Sequence, residues 1–149
     1  MIRKITRQDK DDFIRLSVQF YRSEAVMHDI PEAYHVAAFE EIMRSDAYAA
    51  AYMIEREEKP VGYLLVAKTY SREAGGPVWW LEELFVLPSF RGKGLGREAF
   101  AFIEGEAARE KVKRLRLEAE RENDRAISLY KRLGYAPLGY MQMFKEQSP

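Results

Sequence analysis

Two periodicities share this chain between helices and strands. Phe13, Leu16, Ser17 and Phe20 fall on one face at helical spacing, so a helix is expected from Asp9 onward. The stretch "HDIPEAY" interrupts it, and Pro31 suits the first turn of a second helix running to about Ser45. A short strand, "MIRKI", precedes both. "AYAAYMIERE" and "PVGYLLVAKTY" read as strands, and the charged turn "REEKP" joins them into a hairpin. After the loop "SREAGGP" comes a further strand, "VWWLEELFVL", and then a helix from about Gly94 to Lys111 with Leu95, Ala99, Phe102 and Ile103 turned inward. "RLRLEAE" alternates and is expected as a strand. Asn123 to Leu133 is expected as a helix, with Asn123 as N-cap, Asp124 in the first turn and Gly134 just past its end. "YMQMFK" is expected as the closing strand. The order β-α-α-β-β-β-α-β-α-β predicts an α+β fold with a mixed central sheet and flanking helices. At 149 residues, with no repeat or linker, the expectation is a single domain spanning 1–149.

Composition narrows the function classes. Lys+Arg and Asp+Glu are 24 each, which argues against a binder of nucleic acid or of membrane surfaces. With no Cys, the chain has no disulfide, no cysteine-bound zinc and no thiol nucleophile, in keeping with a reducing compartment. No signal peptide or membrane-spanning run is apparent, so a cytoplasmic location is expected. His28 and His35 flank the turn expected between the first two helices and make a poor metal-ligand set, so no metal is expected.

"RGKGLG", Arg91 to Gly96, lies between a strand and a helix. The first turn of a helix has backbone N–H groups without internal partners and a partial positive charge. Gly92, Gly94 and Gly96 let a ligand approach that backbone, and Arg91, Lys93 and Arg97 surround it with full charges. Together these features describe a seat for a phosphate or pyrophosphate. The string is not a Walker A loop, which needs GxxxxGK followed by Ser or Thr, and a GxGxxG dinucleotide loop would need glycine at Arg97. Glu118 and Glu120, at the end of the next expected strand, keep a dinucleotide-binding oxidoreductase as a rival.

"LFVLPSFRGKGLG" resembles the acyl-CoA loop of the GNAT superfamily of acetyltransferases, V-x-P-x-[FY]-R-G-x-G-x-G. "NDRAISLYKRLGY", Asn123 to Tyr135, resembles that family's N-x-x-A-x-x-x-Y-x-[KR]-x-G-[FY] helix. The resemblance covers essentially the whole chain, the first 45 residues only in element order. It implies transfer of an acetyl group from acetyl-CoA to an amine, with CoA as donor. It also implies a sheet that splays beside Val78–Leu87, where the pantetheine arm bonds to backbone at Leu84, Phe85 and Val86. The pyrophosphate would then sit on the loop residues Arg91, Gly92, Lys93, Gly94, Leu95, Gly96 and Arg97. By the same resemblance Asn123 bonds the cofactor's arm and Tyr130 approaches the thioester sulfur.

Amine acetylation sets three chemical tasks. An alkylamine with a pKa of about 10.4 is protonated at neutral pH, and reaching its nucleophilic form costs about 4.6 kcal/mol. A carboxylate can take the proton directly or through water. Glu82 and Glu83 are adjacent on a strand and therefore point to opposite faces. "LEELFV" is similar to the "LEDFFV" type of stretch in polyamine acetyltransferases, a likeness that implies Glu82 as base and Glu83 as amine binder; from the residues alone either acid remains open as the base. The acyl oxygen needs a donor, for which backbone N–H near Leu84 or Phe85 is suited. The leaving thiolate, with a pKa near 8.5 when free, benefits from a proton or hydrogen bond, and Tyr130 lies on the same helical face as Asn123. A non-catalytic CoA-binding module of the same fold is the remaining alternative. The acids favour a small cationic amine, polyamine-like, as acceptor, and homodimerisation is common in such relatives.

Overall fold

A computed structural model describes residues 1–147 in two compact units, Met1–Glu118 and a unit beginning at Ala119. The first carries the sheet. Its strands are β1 (Ile2–Lys4), β2 (Ala49–Arg56), β3 (Lys59–Ser71), β4 (Gly76–Val86) and β5 (Arg114–Leu117), hydrogen-bonded in that order. Neighbours from β1 to β4 are antiparallel and β4–β5 is parallel, so the sheet is mixed as expected. A two-residue turn closes the β2–β3 hairpin with Glu57 and Glu58 at φ 51° and 61°, a left-handed conformation more usual for Asn or Gly.

Helices α1 (Lys10–Tyr21) and α2 (Glu32–Arg44) cover one face of the sheet, and α3 (Leu95–Arg109) covers the other. A single 3-10 turn, Arg7–Asp9, leads into α1 where the sequence suggested that the helix itself begins. Its Asp9 carboxylate accepts from the Arg3 guanidinium at 2.8 and 2.9 Å, and Arg3 also reaches Glu55. The α3 core comprises Ile54, Leu64, Val66, Trp79, Leu95 and Ile103, while Phe13, Leu16, Phe39, Met53, Tyr63 and Phe85 fill the α1/α2 side. Trp79 is core and Trp80 is half-buried under Arg116, in line with their opposite directions.

One irregularity organises β4. Its register against β3 runs Ala67↔Trp80, Val66↔Leu81, Leu65↔Glu83 and Leu64↔Leu84, leaving Glu82 as the extra residue of a β-bulge. A bulge reverses the in–out parity of everything beyond it. Trp79 and Leu81 face α3 before it, whereas Leu84 and Val86 do so after it. Phe85 accordingly packs on the α1/α2 side.

Two expectations need correction. The strand expected at "RLRLEAE" stops at Leu117, because beyond it β4 offers no further pairing. The closing strand expected at "YMQMFK" is not formed: residues 136–147 carry neither helix nor strand, and Tyr140, Met141, Met143 and Phe144 are exposed. Alternation gives a segment strand character, but a strand also requires a paired neighbour. In the second unit α4 (Asp124–Arg132) forms where expected.

Candidate active site

β4 pairs with β5 only as far as Leu81↔Leu117. From Glu82 to Val86 it keeps β3 on one side, and among the described residues no strand lies on the other. That open edge holds Leu84, Phe85 and Val86, the three positions expected to bond a pantetheine arm. Leu84 and Val86 are half-buried and Phe85 is buried. The β3 side is held close: a Cβ on Gly62 would meet the Phe85 carbonyl oxygen at 2.3 Å. Only glycine allows β3 to approach there.

A 3-10 turn, Pro88–Phe90, carries the chain from β4 into the glycine loop. Gly92 and Gly94 adopt φ 75° and 82°, and Gly94 is the N-cap of α3 with no side chain capping the helix. The first N–H groups of α3 are thus left to a ligand. Nothing lies within 4 Å of a Cβ built on Gly92, Gly94 or Gly96, so the backbone can be approached from outside. Arg91 donates through Nε to the Val86 carbonyl oxygen at 2.9 Å and lies 5.7 Å from the Phe85 ring centre. Lys93 sits over Phe90 at 5.2 Å, and Arg97 is exposed in the first turn of α3. Leu95 is buried, so its side chain serves the core and only its backbone is suited to an anion. Uncapped N–H groups, open glycines and three cations fit a pyrophosphate.

The two adjacent acids have different surroundings. Glu82, on the bulge, belongs to an exposed residue, yet its carboxyl is crowded: partial burial and the nearby Glu118 and Glu83 charges raise its pKa. Glu83 is half-buried and accepts from Tyr21 Oη at 2.8 Å and Tyr63 Oη at 2.5 Å. Burial raises its pKa as well, against the two phenol hydrogen bonds and His35, which favour the charged form. Both phenols are in turn pushed well above the usual tyrosine value by burial and the Glu83 charge.

In the second unit Asn123 caps α4, its Oδ1 accepting from the Ala126 N–H at 3.1 Å. Tyr130 is half-buried, meets Tyr135 edge-on at 6.4 Å, and has its pKa raised by burial.

Sequence reasoning missed Tyr21, Tyr63 and His35. His35 is not at a helix-flanking turn but within α2, 2% exposed, with Nδ1 at 2.6 Å from Ser17 Oγ. The signal was Ser17 itself: a hydroxyl on an apolar helix face needs a buried partner.

Comparison with known proteins agrees with this geometry. The family model described as acetyltransferase (GNAT) family matches residues 12–135. An uncharacterized N-acetyltransferase of Methanocaldococcus jannaschii is 30% identical over 97% of this chain, which spans 66% of that protein's length. The thialysine N-epsilon-acetyltransferase of Mus musculus is 27% identical, covering 89% of this chain and 82% of the relative. Among solved structures, AAC(6')-Iy in complex with a bisubstrate analog containing CoA superposes with a TM-score of 0.82 at 20% identity, over 99% of this chain and 98% of that one. The open-edged strand, the glycine loop and these likenesses converge: the chain belongs to the GNAT family of acetyltransferases.

Proposed function

We infer that the chain, as one N-acetyltransferase domain, transfers the acetyl group of acetyl-CoA to a primary amine of a small acceptor. The observation that carries this reading is the open edge of β4 running straight into an uncapped, glycine-lined helix start. The curated relatives include enzymes named for acting on a lysine analogue and on aminoglycosides, all amines.

When bound, CoA supplies an activated acyl thioester. Arg91, Gly92, Lys93, Gly94, Leu95, Gly96 and Arg97 would hold its diphosphate through backbone N–H groups and charge. Backbone at Leu84, Phe85 and Val86 would bond its arm, and a freed N–H there would donate to the acyl oxygen. Asn123 would bond the arm as well. Glu82 acts as general base: a carboxyl with a raised pKa has a stronger driving force to accept the ammonium proton at neutral pH. Glu83 binds the cationic amine. Tyr130, whose phenol is kept protonated by burial, donates to the departing sulfur. The mainly antiparallel sheet order leaves no doubly wound parallel core of the kind a dinucleotide oxidoreductase uses.

The test pairs calorimetry with CoA and a thiol-release assay over a panel of primary amines. The expected outcome is CoA binding with release of thiol for at least one small cationic amine. Tight CoA binding with no release for any amine supports a binding module and overturns catalysis.

A further inference from the structure

Strands β3 and β4 outrun α3. Their ladder continues to Tyr70↔Pro77 and Ser71↔Gly76, whereas the helix ends at Arg109 with Glu110 as its C-cap. The chain then turns back: Val112 packs against the core, and the Lys113 N–H bonds the Pro77 carbonyl oxygen at 2.8 Å. Past the last turn of α3 the sheet is left with a pocket of about 310 Å³, walled by Lys68, Pro77, Trp79, Glu110 and, from the segment before β2, Asp46. That is room for a small organic molecule.

Lys68 pairs with Trp79 across the ladder and so shares its face of the sheet. Its ammonium lies 4.9 Å from the indole ring centre, and its side chain is 18% exposed. Asp46 Oδ2 is 3.9 Å away, an ion-pair distance but too long for a hydrogen bond. That same oxygen accepts from Lys4 Nζ at 3.1 Å, so Asp46 is already offset by a second lysine. Among the described residues no acceptor lies within hydrogen-bond reach of the Lys68 ammonium. A largely buried cation gains from an acceptor that a ligand can supply.

Glu110 is the opposite case. It is exposed at the C-terminal end of α3, where the partial negative charge of the helix adds to its own. Arg109, the cation beside it in the chain, is paired with Glu106 instead. Glu110 forms no ion pair with a described residue. One pocket thus presents an ammonium and a carboxylate that do not pair with each other. Glu110 disfavours a simple anion there and Lys68 a simple cation, while a molecule carrying both charges suits both.

We propose that this pocket is a binding site for an amino acid zwitterion, whose carboxylate rests on the Lys68 ammonium and whose ammonium rests on the Glu110 carboxylate. The hydrocarbon between them lies against Pro77. The glycine loop opens α3 and this pocket lies at its other end, fifteen residues or roughly 22 Å along the axis. The site is therefore separate from the acyl-donor seat, and the inference stands without the acetyltransferase reading.

Proton–nitrogen NMR on the full chain, titrated with L-valine and with β-alanine, reads the site directly. At least one of the two should give saturable shifts at the Trp79 indole N–H and the Glu110 amide. Isovalerate, which lacks the ammonium, and isobutylamine, which lacks the carboxylate, should bind about tenfold more weakly than the better zwitterion, each forgoing one charge-assisted contact. Lys68→Met and Glu110→Gln should each weaken the zwitterion by about tenfold as well. Glu110 is exposed, so its variant decides the matter even where loss of the charge over Trp79 unsettles the fold. Saturating CoA should leave the shifts in place. The site is overturned by any of four results: no saturable shift with either zwitterion, equal binding of isovalerate or isobutylamine, full affinity in folded Glu110→Gln, or displacement by CoA.

Discussion

The two faces of the sheet are built from the same strands and spend their burial differently. Against α3, side chains such as Ile54, Leu64, Val66, Leu95 and Ile103 pack together with Tyr52 and Trp79. Against α1 and α2, comparable aromatic and aliphatic packing encloses Ser17, His35, Tyr63 and Glu83. A carboxyl held among phenols forgoes part of the stabilisation that a leucine in its place would give. The contrast separates a face built of apolar packing from one that holds a hydrogen-bonded carboxyl group.

The largest difference should appear on the α3 side. Ile103 is fully buried, and Ile103→Ala should lower unfolding free energy by about 3 kcal/mol in urea titrations. The folded fraction should retain its acceptor KM; a raised KM would mean that the apolar face also tunes the site. Tyr63→Phe probes the other side. It keeps the ring among Phe13 and Phe85 but removes one charge-assisted bond to Glu83, so acceptor kcat/KM should fall by about tenfold while thermal stability changes little. A stability loss matching that of Ile103→Ala, with kinetics intact, would erase the distinction.

Titration offers the smallest and finest contrast. Glu83 has a raised pKa in the folded state, so its contribution to stability is present at low pH and is lost as pH rises through the folded value. Glu83→Gln should therefore gain on the parent as pH climbs past the ordinary carboxylate range. Asp9 behaves oppositely. The Arg3 guanidinium lowers its pKa to about 2, so its contribution is full above pH 4 or so and disappears as pH falls towards about 2. Asp9→Asn should flatten the acid limb by about 1–2 kcal/mol, read from denaturant midpoints against pH.

Much of this was legible in the chain. The 3,4 spacing of Phe13, Leu16 and Phe20 marks the buried stripe of α1, Asn123 caps α4 as its side chain suggests, and the glycine loop lies at the start of α3. Local rules decide those features. The missed ones depend on pairing between distant segments. Nothing around Glu82 announces a bulge, because the bulge exists only relative to Leu65 and Val66 on β3. His35 looked like a turn residue because its partner Ser17 lies 18 positions earlier. "YMQMFK" alternates like a strand, but no described strand pairs with it.

The extra residue in β4 also acts on the chain much as a frameshift acts on a message. Pairing Glu82 into the ladder, with no residue left over, would rotate the remainder half a turn, sending the Glu83 carboxylate into the hydrocarbon beneath α3 and bringing Leu84 to the phenols in its place. Deleting Glu82 would instead let Glu83 follow Leu81 directly and keep its present face. A one-residue deletion therefore preserves the faces when it falls at the bulge but not when it falls beyond it, and a library that randomises this strand should hold the spacing from Glu83 onward fixed.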